Sequence, residues 1–130
     1  MPETKKKILI VEDNASIMEA VVLALKEEGF KIDLANDGNE GVNKIKENHY
    51  DLVILDLVMP GSTGFEVMHE LEMLGLHPPI IIYSNMPEED TQAEALKLGA
   101  KDFLSKTTIS LEELVKKVKK HIEGNQNKIV

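Results

Sequence analysis

Five residues of the chain carry side chains that could act together on a charged substrate. Glu12 and Asp13 are adjacent, Asp56 lies in the middle of the chain, and Ser84 and Lys106 follow later. Each lies at the end of a short apolar run of the kind that forms a buried strand. Because ligands of an open parallel sheet bind beyond the carboxyl ends of its strands, we expect all five side chains at one rim of the sheet.

This combination of side chains indicates phosphoryl chemistry assisted by a metal ion. Three neighbouring carboxylates repel one another, and a hard divalent cation such as Mg²⁺ relieves that repulsion. Asp56 is the natural nucleophile, because an aspartate can form an acyl phosphate by attacking a phosphoryl donor. Lys106 would pair with the phosphoryl group as a point charge, and Ser84 would donate a hydrogen bond to it.

Apolar runs alternate with helical patterns along the whole chain. We predict five strands, at residues 8–11, 31–34, 52–55, 80–82 and 102–105. Five helical patterns begin near residues 16, 38, 65, 88 and 111. Ser16 and Glu19 form a candidate capping box in the first helix, and Gly41 weakens the second by about 1 kcal/mol relative to alanine. Such alternation predicts βαβ crossovers and a parallel sheet.

The domain organisation and composition are those of an ordinary globular protein. We expect one α/β domain over residues 5–123 and a short tail at 124–130. Among 130 residues, 23 acidic side chains against 15 basic ones leave a net charge of −8, which argues against nucleic acid as a direct ligand. The chain has no cysteine, and so no disulfide or thiolate site. Without a long apolar run or a signal region, no membrane association is expected and cytoplasm is the default.

Each of the five candidate residues also has an ordinary structural role when it is considered alone. Asp13 or Asn14 could cap the first helix, and Asp56 could be a carboxylate at the entry to a loop. Ser84 could be a turn hydroxyl, and Lys106 could be a surface lysine. Their joint occurrence at the ends of the first, third, fourth and fifth strands favours a common site.

Four stretches of the chain together form a specific pattern. They read ILIVEDN at 8–14, DLVILDLVMPG at 51–61 with Gly64 shortly after, PIIIYS at 79–84, and GAKDFLSK at 99–106. With these stretches the chain resembles the response-regulator receiver domain, the phosphoacceptor half of two-component signalling, from about Lys5 to Glu123. The resemblance implies a single doubly wound (βα)5 flavodoxin-like domain with a central parallel five-stranded sheet in the order 2-1-3-4-5.

The resemblance also implies roles for individual residues. Asp56 would accept a phosphoryl group from a sensor histidine kinase, a histidine phosphotransfer protein or a small acyl phosphate. Asp13 and Asp56 would bind Mg²⁺ directly, together with the main-chain carbonyl of Val58. Glu12 would act mostly through water, and Lys106 would pair with the phosphoryl group.

A conformational switch is implied as well. Ser84 would move toward the phosphoryl group, and Phe103 would occupy the aromatic switch position that responds to it. The surface formed by the fourth helix, fifth strand and fifth helix would then change its affinity for a downstream protein that the sequence does not identify. Because the chain ends soon after the fifth helix, we expect a stand-alone domain whose output is a protein contact or onward phosphotransfer; an excised piece of a longer protein is the alternative.

Some positions depart from the family pattern. Asn85 stands where the family usually has a small residue, and it would crowd the entry of the phosphoryl group. Thr107 follows Lys106 where the family commonly has a proline in a cis peptide, and a cis bond before threonine is disfavoured by about 2.5–4 kcal/mol. Val58 and Met86 flank the site and cannot orient a water molecule by a hydrogen bond, so we expect slow autodephosphorylation.

Two other classes of function are weighed against the switch. A phosphorylation-independent interaction module on the same fold is favoured slightly by Asn85 and Thr107, but it would have no physical use for clustered carboxylates. A phosphatase with an aspartate nucleophile would need a second carboxylate two residues after Asp56, where Val58 stands. The chain is therefore expected to be a phosphoacceptor and not an enzyme, apart from slow autophosphorylation and autodephosphorylation.

Overall fold

A five-stranded parallel sheet forms the centre of the chain. The computed structural model describes residues 5–59, 61, 63–85 and 89–126. The strands are β1 (Lys7–Val11), β2 (Lys31–Ala35), β3 (Leu52–Leu55), β4 (Ile80–Ser84) and β5 (Asp102–Ser105). The helices are α1 (Ala15–Glu27), α2 (Gly38–Glu47), α3 (Gly64–Met73), α4 (Glu89–Lys97) and α5 (Leu111–Gln126). The strand order β2-β1-β3-β4-β5 confirms the predicted doubly wound, flavodoxin-like α/β topology.

Helices cover both faces of the sheet. Val21 of α1 and Leu114 of α5 belong to one cluster of buried side chains, on the face that includes Ile10 and Ile54. α2, α3 and α4 pack on the opposite face, in a second cluster that includes Leu55. β1 and β3 are therefore buried on both faces, which is why their sequences are continuous apolar runs.

The two edge strands differ from the central ones in pattern. β2 pairs with β1 alone, which confirms the edge position predicted for it, and only Ala35 among its five residues is fully buried. β4 continues two residues beyond the predicted end at residue 82, because Tyr83 and Ser84 pair with Leu104 and Ser105 of β5. This extension carries the serine to the rim of the sheet.

The ends of two helices differ from the prediction. Asn14 is the N-cap of α1, and its side-chain oxygen accepts a hydrogen bond from the backbone N–H of Ile17 at 3.2 Å. The capping box proposed for Ser16 and Glu19 is therefore wrong. α5 continues to Gln126, into the segment expected to be a tail, and residues 127–130 lie outside the described part of the chain. None of the helices seen in the structure is long and apolar enough to cross a membrane.

Gly41 is explained by packing and not by helix propensity. A Cβ atom at this position would lie 3.0 and 3.2 Å from the two methyl carbons of Val11. The glycine therefore lets α2 approach β1 closely, which offsets the cost of a glycine within a helix.

Gly64 makes a closer approach, next to the candidate nucleophile. It is the first residue of α3, and a Cβ atom there would lie 2.7 Å from the carbonyl oxygen of Asp56 and 2.9 Å from the Cα of Leu57. We expect Gly64→Ala to lower the free energy of unfolding by about 1–3 kcal/mol, since backbone atoms must shift to admit the methyl group. Urea unfolding followed by circular dichroism measures this change.

Gly124 provides the matched control for that substitution. It lies within α5, and a Cβ atom there would have no neighbour within 4 Å in the described part of the chain. Gly124→Ala should raise the free energy of unfolding by up to about 1 kcal/mol through helix propensity alone. Equal effects of the two substitutions would contradict the steric explanation for Gly64.

Candidate functional site

Three carboxylates meet at the carboxyl ends of β1 and β3. Glu12 and Asp13 follow β1, and Asp56 follows β3. Each contributes a carboxylate oxygen, and these three oxygens all lie within 4.8 Å of one another. Glu12 and Asp56 are buried, whereas Asp13 is exposed to solvent. The structure thus brings together the acidic side chains that the strand pattern places at this rim.

The Asp56 side chain is held by the backbone on both sides of it. Its backbone N–H donates to the carbonyl oxygen of Val11 at 3.1 Å, which continues the pairing of β3 with β1. The N–H of Val58 donates to Asp56 Oδ1 at 3.1 Å, so the chain turns back over the carboxylate directly after it. Only 5% of Asp56 is exposed, and its second oxygen, Oδ2, points toward the cluster of charged groups.

Glu12 is held in a similar way by β2 and by the start of α1. Its backbone N–H donates to the carbonyl oxygen of Ala35 at 3.0 Å. Its Oε1 atom accepts a hydrogen bond from the N–H of Asn14 at 3.1 Å. The carboxylate is therefore directed across the rim and not into solvent, and only 3% of the residue is exposed.

Lys106 bridges the two buried carboxylates. Its backbone N–H donates to the carbonyl oxygen of Ser84 at 2.9 Å, which fixes the chain at the end of β5. Its Nζ atom lies 2.6 Å from Glu12 Oε2 and 3.1 Å from Asp56 Oδ2, and the side chain is 8% exposed. The ammonium group is thus the counter-charge of the cluster in this structure.

The electrostatics of the cluster follow from burial and from these contacts. Burial raises the pKa of Glu12, and the nearby charge of Asp56 adds to the rise, while the hydrogen bond from Lys106 opposes it without cancelling it. Burial by itself would lower the pKa of Lys106, but its hydrogen bond to Glu12 and the charge of Asp56 outweigh burial and raise it. The pair therefore favours a charged lysine at neutral pH, and ionisation of Glu12 is less favourable than that of a glutamate in water.

The donor set suits a hard divalent cation. Three carboxylates face one ammonium group, so negative charge is in excess at the rim. Carboxylate oxygens are the ligands that Mg²⁺ prefers, and the exposed Asp13 leaves the cluster open to solvent on one side, where such an ion keeps several waters. The residues present therefore fit Mg²⁺.

Ser84 lies at the end of β4, beside the end of β3. Its side chain is fully buried, and its Oγ atom has no hydrogen-bond partner among the residues that the structure describes. A buried hydroxyl without a partner is costly, on the order of 1–3 kcal/mol. Such a group next to a charged cluster indicates a position for a ligand that accepts a hydrogen bond.

The chain turns sharply after Lys106. The Lys106–Thr107 peptide is trans, since the described residues contain no cis peptide. The carbonyl oxygen of Ser105 accepts hydrogen bonds from the N–H groups of Thr108 and Ile109, and the hydroxyls of Ser105 and Thr107 lie 2.9 Å apart. Ser105 therefore closes a short turn without the cis proline that is common in the family that the sequence resembles.

The remaining candidates lie around the cluster at different depths. Phe103 is partly buried and packs against the cluster of side chains that includes Ala95 of α4. Val58 is 56% exposed beside Asp56, and Asn85 is exposed directly after Ser84. Met86 lies outside the described residues.

One residue at the rim has a role that the sequence pattern does not indicate. Lys106 Nζ lies 5.6 Å from the centre of the Tyr83 ring, within the range of a cation–π contact. Tyr83 pairs with Leu104 in register, so the ring lies on the same face of the sheet as Lys106, two residues further on. Burial raises the pKa of the Tyr83 hydroxyl, so it stays neutral at physiological pH. Strand alternation places Leu104 and Lys106 on one face, but only the pairing of β4 with β5 identifies Tyr83 as the neighbour.

Comparison with known proteins agrees with this geometry. The family model described as the response regulator receiver domain matches residues 8–119. Transcriptional regulatory protein DltR of Streptococcus agalactiae is 37% identical over 100 residues, which are 77% of this chain and 45% of that protein. The chain spans about half the length of the curated relatives that it matches.

Solved structures show the same architecture. The receiver domain of the Francisella response regulator 1452 has a TM-score of 0.87 at 28% identity, over 93% of this chain and 99% of that one. Response regulator protein TrrA from Thermotoga maritima, solved in complex with Mg²⁺-BeF, has a TM-score of 0.77 at 35% identity, over 89% and 98% of the two chains.

Proposed function

The chain belongs to the response regulator receiver domains, and we propose from that premise that it is a phosphorylation-activated switch of a two-component phosphorelay. Asp56 accepts the phosphoryl group from a histidine kinase or a histidine phosphotransfer protein in a Mg²⁺-dependent reaction. The observation that carries the proposal is the buried, unpartnered Ser84 hydroxyl beside a cluster of three carboxylates and one lysine. A constitutive interaction module would have no physical use for that arrangement.

The transfer itself is a simple displacement. An oxygen of the ionised Asp56 carboxylate attacks the phosphorus atom of a phosphohistidine. The O–P bond forms as the N–P bond breaks, and the imidazole leaves with the bonding electron pair and takes a proton from solvent. The product is an acyl phosphate on Asp56. The protein is thus a phosphoacceptor, with only slow autophosphorylation and autodephosphorylation of its own.

The residues around Asp56 position the two anions for this step. Asp13, Asp56 and the main-chain carbonyl of Val58 would hold Mg²⁺, with Glu12 acting mostly through water. The ion would neutralise the negative charge that otherwise keeps the Asp56 carboxylate and the phosphoryl group apart. Lys106 Nζ lies 3.1 Å from the Asp56 carboxylate, within reach of an oxygen of the incoming phosphoryl group. Glu12, Asp56 and Ser84 are almost fully buried, which strengthens these interactions.

The switch begins with Ser84. Its Oγ gains a hydrogen-bond acceptor when a phosphoryl oxygen arrives, so the phosphorylated state relieves the cost of the buried hydroxyl. Phe103 packs against the buried cluster that includes Ala95 of α4, and this cluster is the route by which a change at the rim would reach α4. The face formed by α4, β5 and α5 then changes its affinity for a downstream protein, as a population shift between two states.

The mass of the intact protein tests the proposal. After incubation with Mg²⁺ and a small acyl-phosphate donor, we expect a gain of one phosphoryl mass. A chelator should prevent it, because the carboxylate cluster then repels the donor. If neither the small donor nor a phosphorylated histidine phosphotransfer protein adds a phosphoryl group in the presence of Mg²⁺, the chain is a constitutive interaction module.

The lifetime of the phosphorylated state depends on the apolar residues at the rim. Val58 is exposed and cannot hold a water molecule by a hydrogen bond. Val58→Asn supplies such a group, and we expect it to shorten the lifetime of the acyl phosphate by about threefold to tenfold, which is less than the roughly 100-fold of a full general base. Loss of the phosphoryl mass with time measures the rate.

Val58→Ala is the control for that substitution, because it changes the size of the side chain without adding a hydrogen-bonding group. It should leave the lifetime close to that of the wild type. If the alanine and asparagine variants lose the phosphoryl group at the same rate, water positioning does not set the lifetime. Met86→Glu is expected to act in the same direction as Val58→Asn.

A further inference from the structure

The flank of α1 next to the edge strand β2 is apolar and exposed. Leu23 of α1 is 62% exposed and Leu34 of β2 is 37% exposed. Together with Ala15 and Val22 they line a shallow groove of about 500 Å³. The groove runs along the side of α1 and does not include any residue of the carboxylate cluster. A protein partner that covers this groove would bury the two exposed leucine side chains, which is favourable.

Two side chains of opposite charge line this groove along α1. Glu19 and Lys26 also line it, and they are seven residues apart on α1. Two turns of helix separate them by about 10 Å. Both side chains are exposed, and neither forms an ion pair with any residue within the described ranges. The groove therefore presents an unpaired acid and, two turns further along α1, an unpaired base.

This arrangement of charges is self-complementary under a two-fold rotation. The midpoint between Glu19 and Lys26 falls between Val22 and Leu23, two apolar residues that line the groove between the two charges. If two α1 helices lie antiparallel about a two-fold axis at that point, Glu19 of each copy faces Lys26 of the other. We infer that this face binds a second copy of the chain in an isologous contact, with Leu23 of each copy next to the two-fold axis.

The net charge limits the strength of the contact. Each copy carries a charge of −8, and two such copies repel at long range. The association is therefore weak and depends on concentration, and the two symmetric ion pairs determine its register and specificity more than its affinity. It is independent of phosphorylation of Asp56, since the groove and the carboxylate cluster share no residue.

Sedimentation equilibrium of the full chain tests the inference. Between about 10 µM and about 1 mM, the weight-average mass should rise from 14.5 kDa toward twice that value. Glu19→Lys and Lys26→Glu each create two like-charge contacts by symmetry, and each should raise the dimer dissociation constant by about tenfold. The double variant exchanges the charges and should return the constant to within about threefold of the wild type.

A control substitution separates the pairing from net charge. Glu27→Lys makes the same charge change as Glu19→Lys, on an exposed residue of α1 that does not line the groove. It should leave the dissociation constant unchanged or slightly lower. Circular dichroism verifies that every variant is folded. The inference is overturned if the protein is a monomer at all concentrations, or if the double variant has a dimer dissociation constant as high as those of the single variants. Phosphorylation of Asp56 has no bearing on either result.

Discussion

Asp56→Asn is expected to abolish phosphorylation while leaving the protein folded. An amide is not a nucleophile toward phosphorus under these conditions, so no phosphoryl mass is gained from an acyl phosphate or a phosphohistidine. The fold should persist, because the amide oxygen can still accept the hydrogen bond from the N–H of Val58. Lys106 keeps its short contact with Glu12, so the lysine retains a counter-charge. Intact mass and circular dichroism measure the two properties on one sample.

Asp102→Asn is the matched control for this experiment. Asp102 is the first residue of β5, at the opposite end of the sheet, and its side chain contacts His121 of α5 at 3.0 Å. The control changes an aspartate to the same amide, and it should accept one phosphoryl group like the wild type. A phosphoryl gain in the Asp56 variant equal to that of the wild type would place the acceptor at another residue.

The architecture could be predicted because the sheet is buried on both faces. Parallel strands inside a doubly wound fold must be continuous apolar runs, and β3 has in fact the predicted bounds of 52–55. The pattern fails where the strand is polar: Tyr83 and Ser84 belong to β4 only because β5 pairs with them. In the same way, several residues near Asn14 are capable of capping a helix, and only the path of the backbone selects one of them.

The site could be predicted as a group of residues but not as a set of contacts. Glu12, Asp56 and Lys106 follow three different strands, and the topology alone places such residues at one rim. That Lys106 bridges both buried carboxylates depends on the turn closed by Ser105, which no residue pattern encodes. Gly41 shows the same limit, since its reason is the close approach of α2 to Val11 and not a property of the helix.

Lys106→Met is expected to destabilise the metal-free protein. The substitution keeps an unbranched side chain one atom shorter than lysine, but it removes the positive charge between Glu12 and Asp56, both of which are almost fully buried. Removing one partner of an enclosed ion pair costs about 3–5 kcal/mol, and we expect about 2 kcal/mol here because water reaches the exposed Asp13 side of the cluster. Urea unfolding in the presence of a chelator measures the difference.

The difference in the free energy of unfolding between the wild type and Lys106→Met depends on pH with a definite sign. The pKa of Lys106 in the folded protein is raised above its usual value of 10.5, although burial alone would lower it, because Glu12 and Asp56 outweigh burial. A raised lysine pKa contributes stability that is fully present below 10.5 and is lost as the pH rises through the folded value. The two proteins should therefore differ at neutral pH and approach each other in strongly alkaline solution.

Addition of Mg²⁺ distinguishes this electrostatic effect from a packing defect. In the variant, the carboxylates lack their ammonium counter-charge and should hold a divalent cation more tightly, so Mg²⁺ should stabilise the variant more than the wild type. Lys119→Met is the matched control, because Lys119 pairs with Glu28 at the surface, where loss of the pair should change stability little and should be insensitive to Mg²⁺. The two responses to Mg²⁺ differ only if the lysine ammonium competes with the ion for the same carboxylates. If Mg²⁺ stabilises the Lys106 variant and the wild type equally, the lysine is therefore not the counter-charge of the cluster.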